Sequence, residues 1–311
     1  MNTQTSLSDR IRGCAAGAAV GDALGMPLEF GPRQPESELV REMETGRLPA
    51  GAFTDDTEMA LALAESLLAH KPLDPDDLAQ RFVAWYQSDP PDIGIHTASV
   101  LARIAQEEPW KEAVTAVQST RPDSAGNGSV MRCWPVALAY YGQAQDQLVL
   151  QTLVAESRLQ SRVTHPHAEC QAGSAFVNVT IFHLLHGLPP AEAVARALVD
   201  AVVPNALRDV IEVAPTKSRD MLPNTGWVRH TLESAVWGLL TTSTFEEAVV
   251  AVVNLGKDAD TAGTVVGALA GAAYGLSAIP QRWRDQVWGT WKGRHWLLAN
   301  LISLADRLAS T

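Results

Sequence analysis

Cysteine is scarce in this 311-residue chain: Cys14, Cys133 and Cys170 are scattered without paired spacing. A sparse, odd count excludes a disulfide framework and a zinc knuckle, and indicates a reducing, cytoplasmic compartment. No run of 18 consecutive apolar residues occurs, so no membrane span is expected. The start, Met1-Asn2-Thr3-Gln4-Thr5, is polar and lacks the charged-then-apolar layout of a signal peptide. Basic residues are the minority, 24 Lys and Arg against 35 Asp and Glu, for a net charge of −11. That balance argues against binding to nucleic acid or anionic membrane and suits a protein that concentrates divalent cations. Convincing β-branched alternation, internal repeats and low-complexity tails are also missing.

What is present is helical spacing. With 46% hydrophobic residues the chain can bury a large core. Apolar periodicity predicts helices over 7–24, 56–69, 74–87, 96–106, 110–119, 128–141, 146–160, 166–187, 190–202, 206–213, 230–241, 245–254, 261–275 and 284–307. A long Gly- and Pro-rich loop covers 25–53, and a shorter one 88–95. The expectation is one compact all-α domain over residues 1–311, acting as a monomer.

Two glycine ladders stand out. Gly13, Gly17, Gly21 and Gly25 are spaced by four, and so are Gly263, Gly267, Gly271 and Gly275. Each glycine costs a helix about 1 kcal/mol relative to alanine, so four on one face need a packing reason. Small residues at this spacing let helix backbones touch. Asp22, Asp258 and Asp260 beside the ladders argue against membrane insertion. The ladders are expected to pack on each other, or on one central helix, with opposite polarity. The end of the first helix would then lie beside Asp258–Thr261.

Two carboxylate clusters sit at helix starts about 200 residues apart. One is Thr54-Asp55-Asp56-Thr57, the other Asp258-Ala259-Asp260-Thr261. Either alone reads as an N-cap. A cap needs one side-chain oxygen, and here there are several more. Crowded carboxylates repel unless a cation holds them. Together the clusters offer hard oxygen ligands for two Mg²⁺ or Mn²⁺ ions sharing bridging groups.

Other candidates are weaker taken singly. Gly126-Asn127-Gly128-Ser129-Val130-Met131-Arg132 is a glycine-bearing turn expected to open the 128–141 helix, where backbone N–H groups suit phosphate oxygens. Glu29, among Met26, Leu28 and Phe30, is either ion-paired with Arg33 or held with a raised pKa for proton transfer. Asp92 follows two prolines in a polar loop and is either a turn former or a site carboxylate. In His165-Pro166-His167, one histidine lining a pocket is favoured over a ligand pair. His183 and His186 read as structural or solvated. No Ser-His-Asp arrangement, P-loop or dinucleotide fingerprint is found.

In order along the chain, these residues carry a resemblance. Gly13-x-x-x-Gly17 through Gly21-Asp22-Ala23-Leu24-Gly25 to Glu29, then Thr54-Asp55-Asp56, Gly126–Ser129 with Met131-Arg132, Thr164-His165, and Asp258-x-Asp260-Thr261 resemble the motifs of the ADP-ribosylglycohydrolase family. The resemblance spans nearly the whole chain. It implies an orthogonal all-α bundle with a dinuclear Mg²⁺ or Mn²⁺ centre held by Thr54, Asp55, Asp56, Asp258, Asp260 and Thr261. It also implies hydrolysis of the bond between ribose C1″ and a modified side chain, arginine favoured over serine. Gly126, Asn127, Gly128, Ser129 and His165 would bind the substrate, with Glu29 or Asp92 as acid/base. The partner would be an ADP-ribosylated protein or an ADP-ribose-containing small molecule. One departure is Lys257, where the family often has a small residue; a lysine there either weakens metal affinity or points outward. Competing readings are a nucleotide-diphosphate phosphohydrolase and a non-catalytic crystallin-like relative.

Overall fold

The first glycine ladder becomes helix α1 (Leu7–Gly25), capped by the Ser6 hydroxyl, which accepts from the Asp9 N–H. The second becomes α13 (Ala259–Tyr274). A computed structural model of the chain describes residues 5–141 and 147–310. In it α1 and α13 run antiparallel with their backbones in contact, as the ladder spacing predicts. A Cβ built on Gly17 would stand 2.2 Å from the Gly267 carbonyl oxygen, and one on Gly21 only 1.9 Å from that of Gly263. At the far rung Gly13 meets Gly271, and at the near rung Gly25 meets Ala259 and Asp260. Glycine is required because no side chain fits between the two helices.

The remaining helices wrap this pair. They are α2 (Asp55–Ala69), α3 (Pro75–Tyr86), α4 (Ile95–Ile104), α5 (Trp110–Thr120), α6 (Trp134–Tyr140), α7 (Gln147–Arg162), α8 (Ala168–Leu185), α9 (Pro190–Asp200), α10 (Asn205–Val213), α11 (Val228–Thr241), α12 (Phe245–Val253), α14 (Gln281–Gln286) and α15 (Leu298–Leu308). Helices α8, α11 and α12 pack against α13, and α15 packs against α1. One continuous cluster of buried apolar side chains joins them. The all-α class expected from the periodicity holds, and among the described residues no helix is long and apolar enough to cross a membrane. The polar start up to residue 4, and residue 146 at the head of the expected 146–160 helix, lie outside the described residues.

Two expected helices are corrected. The 128–141 segment is helical only from Trp134, where Pro135 sits in the first turn and fixes the start. Before it the chain turns tightly, with the Asn127 carbonyl accepting from the N–H groups of Val130 (2.9 Å) and Met131 (3.3 Å). The 284–307 segment is interrupted by a hairpin, β1 (Trp288–Trp291) and β2 (Arg294–Leu297). Its turn, Lys292-Gly293, has positive φ at both residues (51° and 71°), the twist a two-residue hairpin turn needs. This is the small sheet that the search for alternating strands passes over.

The long loop between α1 and α2 is pinned at several points. Asn254 exchanges hydrogen bonds with the Val40 backbone, and Trp283 Nε1 donates to the Arg41 carbonyl at 3.0 Å. Gln286 donates to the Met43 carbonyl at 3.2 Å, and Phe53 packs against Gly289. The loop therefore returns to the α1–α13 end in a fixed path before α2 begins.

Candidate active site

The N-termini of α2 and α13 meet at the C-terminal end of α1. Three facts of the chain produce this: the ladders set α1 and α13 antiparallel, Asp22 lies one residue past a ladder glycine, and Thr54-Asp55 opens α2. Asp22 is fully buried and accepts four hydrogen bonds, from the N–H and hydroxyl of Thr54 (3.0 and 2.8 Å) and of Thr57 (3.1 and 2.5 Å). It thereby caps α2 from another helix, and Thr54 makes no cap hydrogen bond of its own. Burial pushes the Asp22 carboxyl up to about 6 despite these four donors.

Asp55, Asp56 and Asp260 are all buried. Burial raises each of their carboxyls well above the ordinary range, and neighbouring carboxylates add to it: Asp92 and Asp22 on Asp55, Asp22 and Asp55 on Asp56, Asp56 and Asp258 on Asp260. Asp258 is raised too, again chiefly by burial. Asp56 Oδ2 accepts from the Thr261 hydroxyl (3.4 Å) and lies 3.3 Å from the Thr54 hydroxyl, whose proton goes to Asp22, while the buried Asp56 Oδ1 has no hydrogen-bond partner. A buried, unpartnered carboxylate oxygen among mutually repelling carboxylates is costly as it stands. Those oxygens are of the hard type that Mg²⁺ and Mn²⁺ prefer, so the residues fit a divalent cation centre. Carboxylate oxygens of Glu29, Asp92 and Asp260 also lie within 4.8 Å of one another, a spacing a metal ion could bridge.

Glu29 follows a short 3-10 turn after α1, and its carboxyl is pushed up to about 7, mainly by burial. Its ion-pair partner is Arg47, not Arg33 as the local sequence suggests; Arg33 pairs with Asp220 at 3.4 Å. Asp92 is half-buried, and Arg47 pairs with it as well. Arg47 Nη2 also lies 3.1 Å from Asp260 Oδ2.

The glycine turn closes another side. Asn127 donates to Asp258 Oδ2 (2.9 Å) and to the Thr231 hydroxyl (2.8 Å), tying the turn to the second carboxylate cluster. The Ser129 hydroxyl points inward to Ser161 (2.9 Å) and Ser174 (3.3 Å), leaving backbone as what this turn offers a ligand. His165 is buried against the turn: a Cβ on Gly128 would stand 2.7 Å from its Cε1. Burial drives its pKa well below the usual histidine value, so it is neutral. Arg132, wholly buried, donates to the Thr164 hydroxyl at 2.8 Å, and that hydroxyl lies 2.8 Å from His165 Nδ1. With the hydroxyl accepting from Arg132, its own proton faces Nδ1 and leaves the ring proton on Nε2. His167 caps α8, accepting from the Glu169 N–H, and His183 bonds Asp200 at 2.8 Å, so neither joins the site. Lys257 is exposed, at φ +57°, and points outward.

Sequence reasoning passes over Asp22 as a clamp, Arg47 as a shared partner and Thr231 as a support. Asp22 carries a signal, a carboxylate adjoining a glycine ladder; Arg47, one of three arginines in the 25–53 loop, carries none.

The model of the ADP-ribosylglycohydrolase family matches residues 3–311. This chain belongs to the ADP-ribosylglycohydrolase family. It is 35% identical to the ADP-ribosyl-[dinitrogen reductase] glycohydrolase of Rhodospirillum rubrum over 293 residues, 92% of either chain. It is 33% identical to the ADP-ribosylarginine hydrolase Tri1 of Serratia proteamaculans over 289 residues, 90% of this chain and 75% of that one. A solved chain described as an ADP-ribosylglycohydrolase-related protein complex superposes with a TM-score of 0.80 at 35% identity, covering 98% of both. As a family member the protein is an ADP-ribosyl glycohydrolase, a hydrolase of glycosidic bonds.

Proposed function

We propose that the whole chain acts as one monomeric, cytoplasmic domain that frees arginine side chains of ADP-ribose on a modified protein. The observation that carries this is the gathering of Glu29, Asp55, Asp56, Asp92, Asp258 and Asp260 at one end of the α1–α13 pair, beside the Gly126–Ser129 turn. The names of two relatives, an ADP-ribosylarginine hydrolase and an ADP-ribosyl-[dinitrogen reductase] glycohydrolase, support the bond and the acceptor. Three buried free thiols fit a reducing setting.

Two Mg²⁺ or Mn²⁺ ions belong to the proposal, with Thr54, Asp55, Asp56, Asp258, Asp260 and Thr261 as the groups that hold them. When bound, such ions supply positive charge for ribose hydroxyls and acidify water. The chain's own residues do the rest. Backbone N–H groups of the Gly126–Ser129 turn other than that of Asn127, which donates to the Gly226 carbonyl, hold the diphosphate, and the Nε2–H of His165 faces the same space. Asp92 orients the guanidine, and Glu29, its carboxyl raised by burial, moves a proton. Water adds to C1″ as the C1″–N bond breaks, the electron pair leaves with the guanidine, and the proton lost by water ends on that nitrogen. The products are free ADP-ribose and unmodified arginine.

The test is a side-by-side incubation with proteins carrying arginine-linked or serine-linked ADP-ribose in Mg²⁺ or Mn²⁺. Release from arginine is expected. Efficient cleavage of the serine linkage with none of the arginine linkage would reverse the acceptor.

A further inference from the structure

Arg47 sits where a cation from outside would be expected. Its Nε donates to Glu29 Oε2 at 2.8 Å, and its Nη2 serves Glu29, Asp92 and, at 3.1 Å, Asp260. The side chain is 27% exposed, so the guanidinium is reachable from solvent. The turn that carries it is seated by Gly46, whose N–H donates to the Leu48 carbonyl at 3.0 Å. A Cβ on Gly46 would stand 2.7 Å from Pro27 Cα, a backbone atom that cannot yield. Glycine at 46 therefore lets the turn lie against the end of α1 and bring Arg47 within reach of the carboxylates.

We propose that Arg47 is an internal competitor for the acceptor guanidinium. In the substrate-free protein it fills the place that the arginine of the modified protein takes between Glu29 and Asp92, and it swings out when substrate binds. The inference rests on the arginine-acceptor reading above. Carboxylates arranged around a planar cation with several N–H donors recognise guanidinium as a chemical class. They do not distinguish Arg47 from an arginine on another chain. Occupation by Arg47 lowers apparent acceptor affinity by the fraction of sites left open. With charge-assisted hydrogen bonds to break, that reduction is roughly 10- to 100-fold.

The experiment is calorimetric titration of the full chain with agmatine, a free guanidinium, and with butylamine as the amine control. Wild type, Arg47→Ala and Gly46→Ala are compared. Agmatine should bind at least about tenfold tighter to Arg47→Ala. Gly46→Ala should shift the same way with Arg47 still present, and butylamine should not respond. The KM for arginine-linked substrate should fall in parallel with no loss of kcat. Unchanged or weaker agmatine binding in both variants overturns the proposal, as does an equal gain for butylamine. A drop in kcat with agmatine binding unchanged would make Arg47 a positioning residue for Glu29, and also overturns it. Tighter agmatine binding without any ADP-ribose release from arginine would leave the occupancy standing and sink the arginine reading. Release without the agmatine gain would sink the occupancy alone.

Discussion

The glycine ladder can be broken one rung at a time. In Gly21→Ala the new Cβ would lie 1.9 Å from the Gly263 carbonyl oxygen, where real contacts begin near 3.0 Å, so α1 and α13 must part locally by about 1 Å. Overpacking of this size costs about 1–3 kcal/mol, offset by about 1 kcal/mol of helix propensity gained over glycine. For a chain of this length the unfolding entropy is about 0.65 kcal/mol/K, so a net cost at the upper end, about 2 kcal/mol, lowers Tm by about 3 °C. Gly13→Ala meets a comparable clash, 2.4 Å from the Gly271 carbonyl oxygen, roughly 12 Å further along α1. Both variants should therefore lose similar stability in EDTA. Only Gly21→Ala moves Asp22 and the start of α13, so only it should lose most of the stabilisation that Mg²⁺ or Mn²⁺ confers. The assay is thermal unfolding of wild type and both variants, with EDTA and with metal. Wild-type Tm and wild-type metal response in Gly21→Ala would refute the backbone contact. Loss of the metal response in Gly13→Ala as well would refute its positional origin.

A metal at a hundredfold excess over its Kd adds about 2.7 kcal/mol per ion, so wild type should gain about 4 °C per ion bound. Asp56→Asn and Asp260→Asn should each lose most of that gain in the same melting assay. The gain should also grow with pH. The buried carboxyls have folded pKa values above their unfolded ones, so without metal their contribution to stability is present below the ordinary Asp value of 3.8 and is lost as pH rises through the folded value, about 6 for Asp22. Metal takes the deprotonated groups, so the difference between metal and EDTA melting points should be larger at pH 8 than at pH 5.5; a constant difference would contradict this. Asp92→Asn should cost at least as much kcat on arginine-linked substrate as Glu29→Gln, each in the range of about 100- to 10,000-fold. Near-normal turnover in Asp92→Asn beside an inactive Glu29→Gln would return Asp92 to a turn former. Gly128→Ala should press on His165 and raise KM while leaving the metal response intact.

The parts of this molecule that were legible in the sequence are those where a residue type is costly without a partner. Four glycines on one helical face, or two carboxylates two residues apart, are unfavourable alone, and their spacing states what must meet them. Asp22 is harder to see because a lone carboxylate has local roles available, and its true partners, Thr54 and Thr57, lie over 30 residues away. Arg47 reaches Asp260 across 213 residues from a loop with no periodicity, so nothing local announces it. The turn before α6 and the β1–β2 hairpin were hidden for another reason. Apolar residues there match a helical period, while Pro135 and Lys292-Gly293, the residues that break it, act through one backbone position each.

The decisive measurement is product identification after incubating the protein with an arginine-ADP-ribosylated substrate, with Mg²⁺ or Mn²⁺ and with EDTA. Mass spectrometry should find free ADP-ribose with its diphosphate intact and a restored arginine, in the metal sample only. Release of AMP or phosphate, or equal release in EDTA, would contradict a metal-dependent glycosidic hydrolase built on these carboxylates.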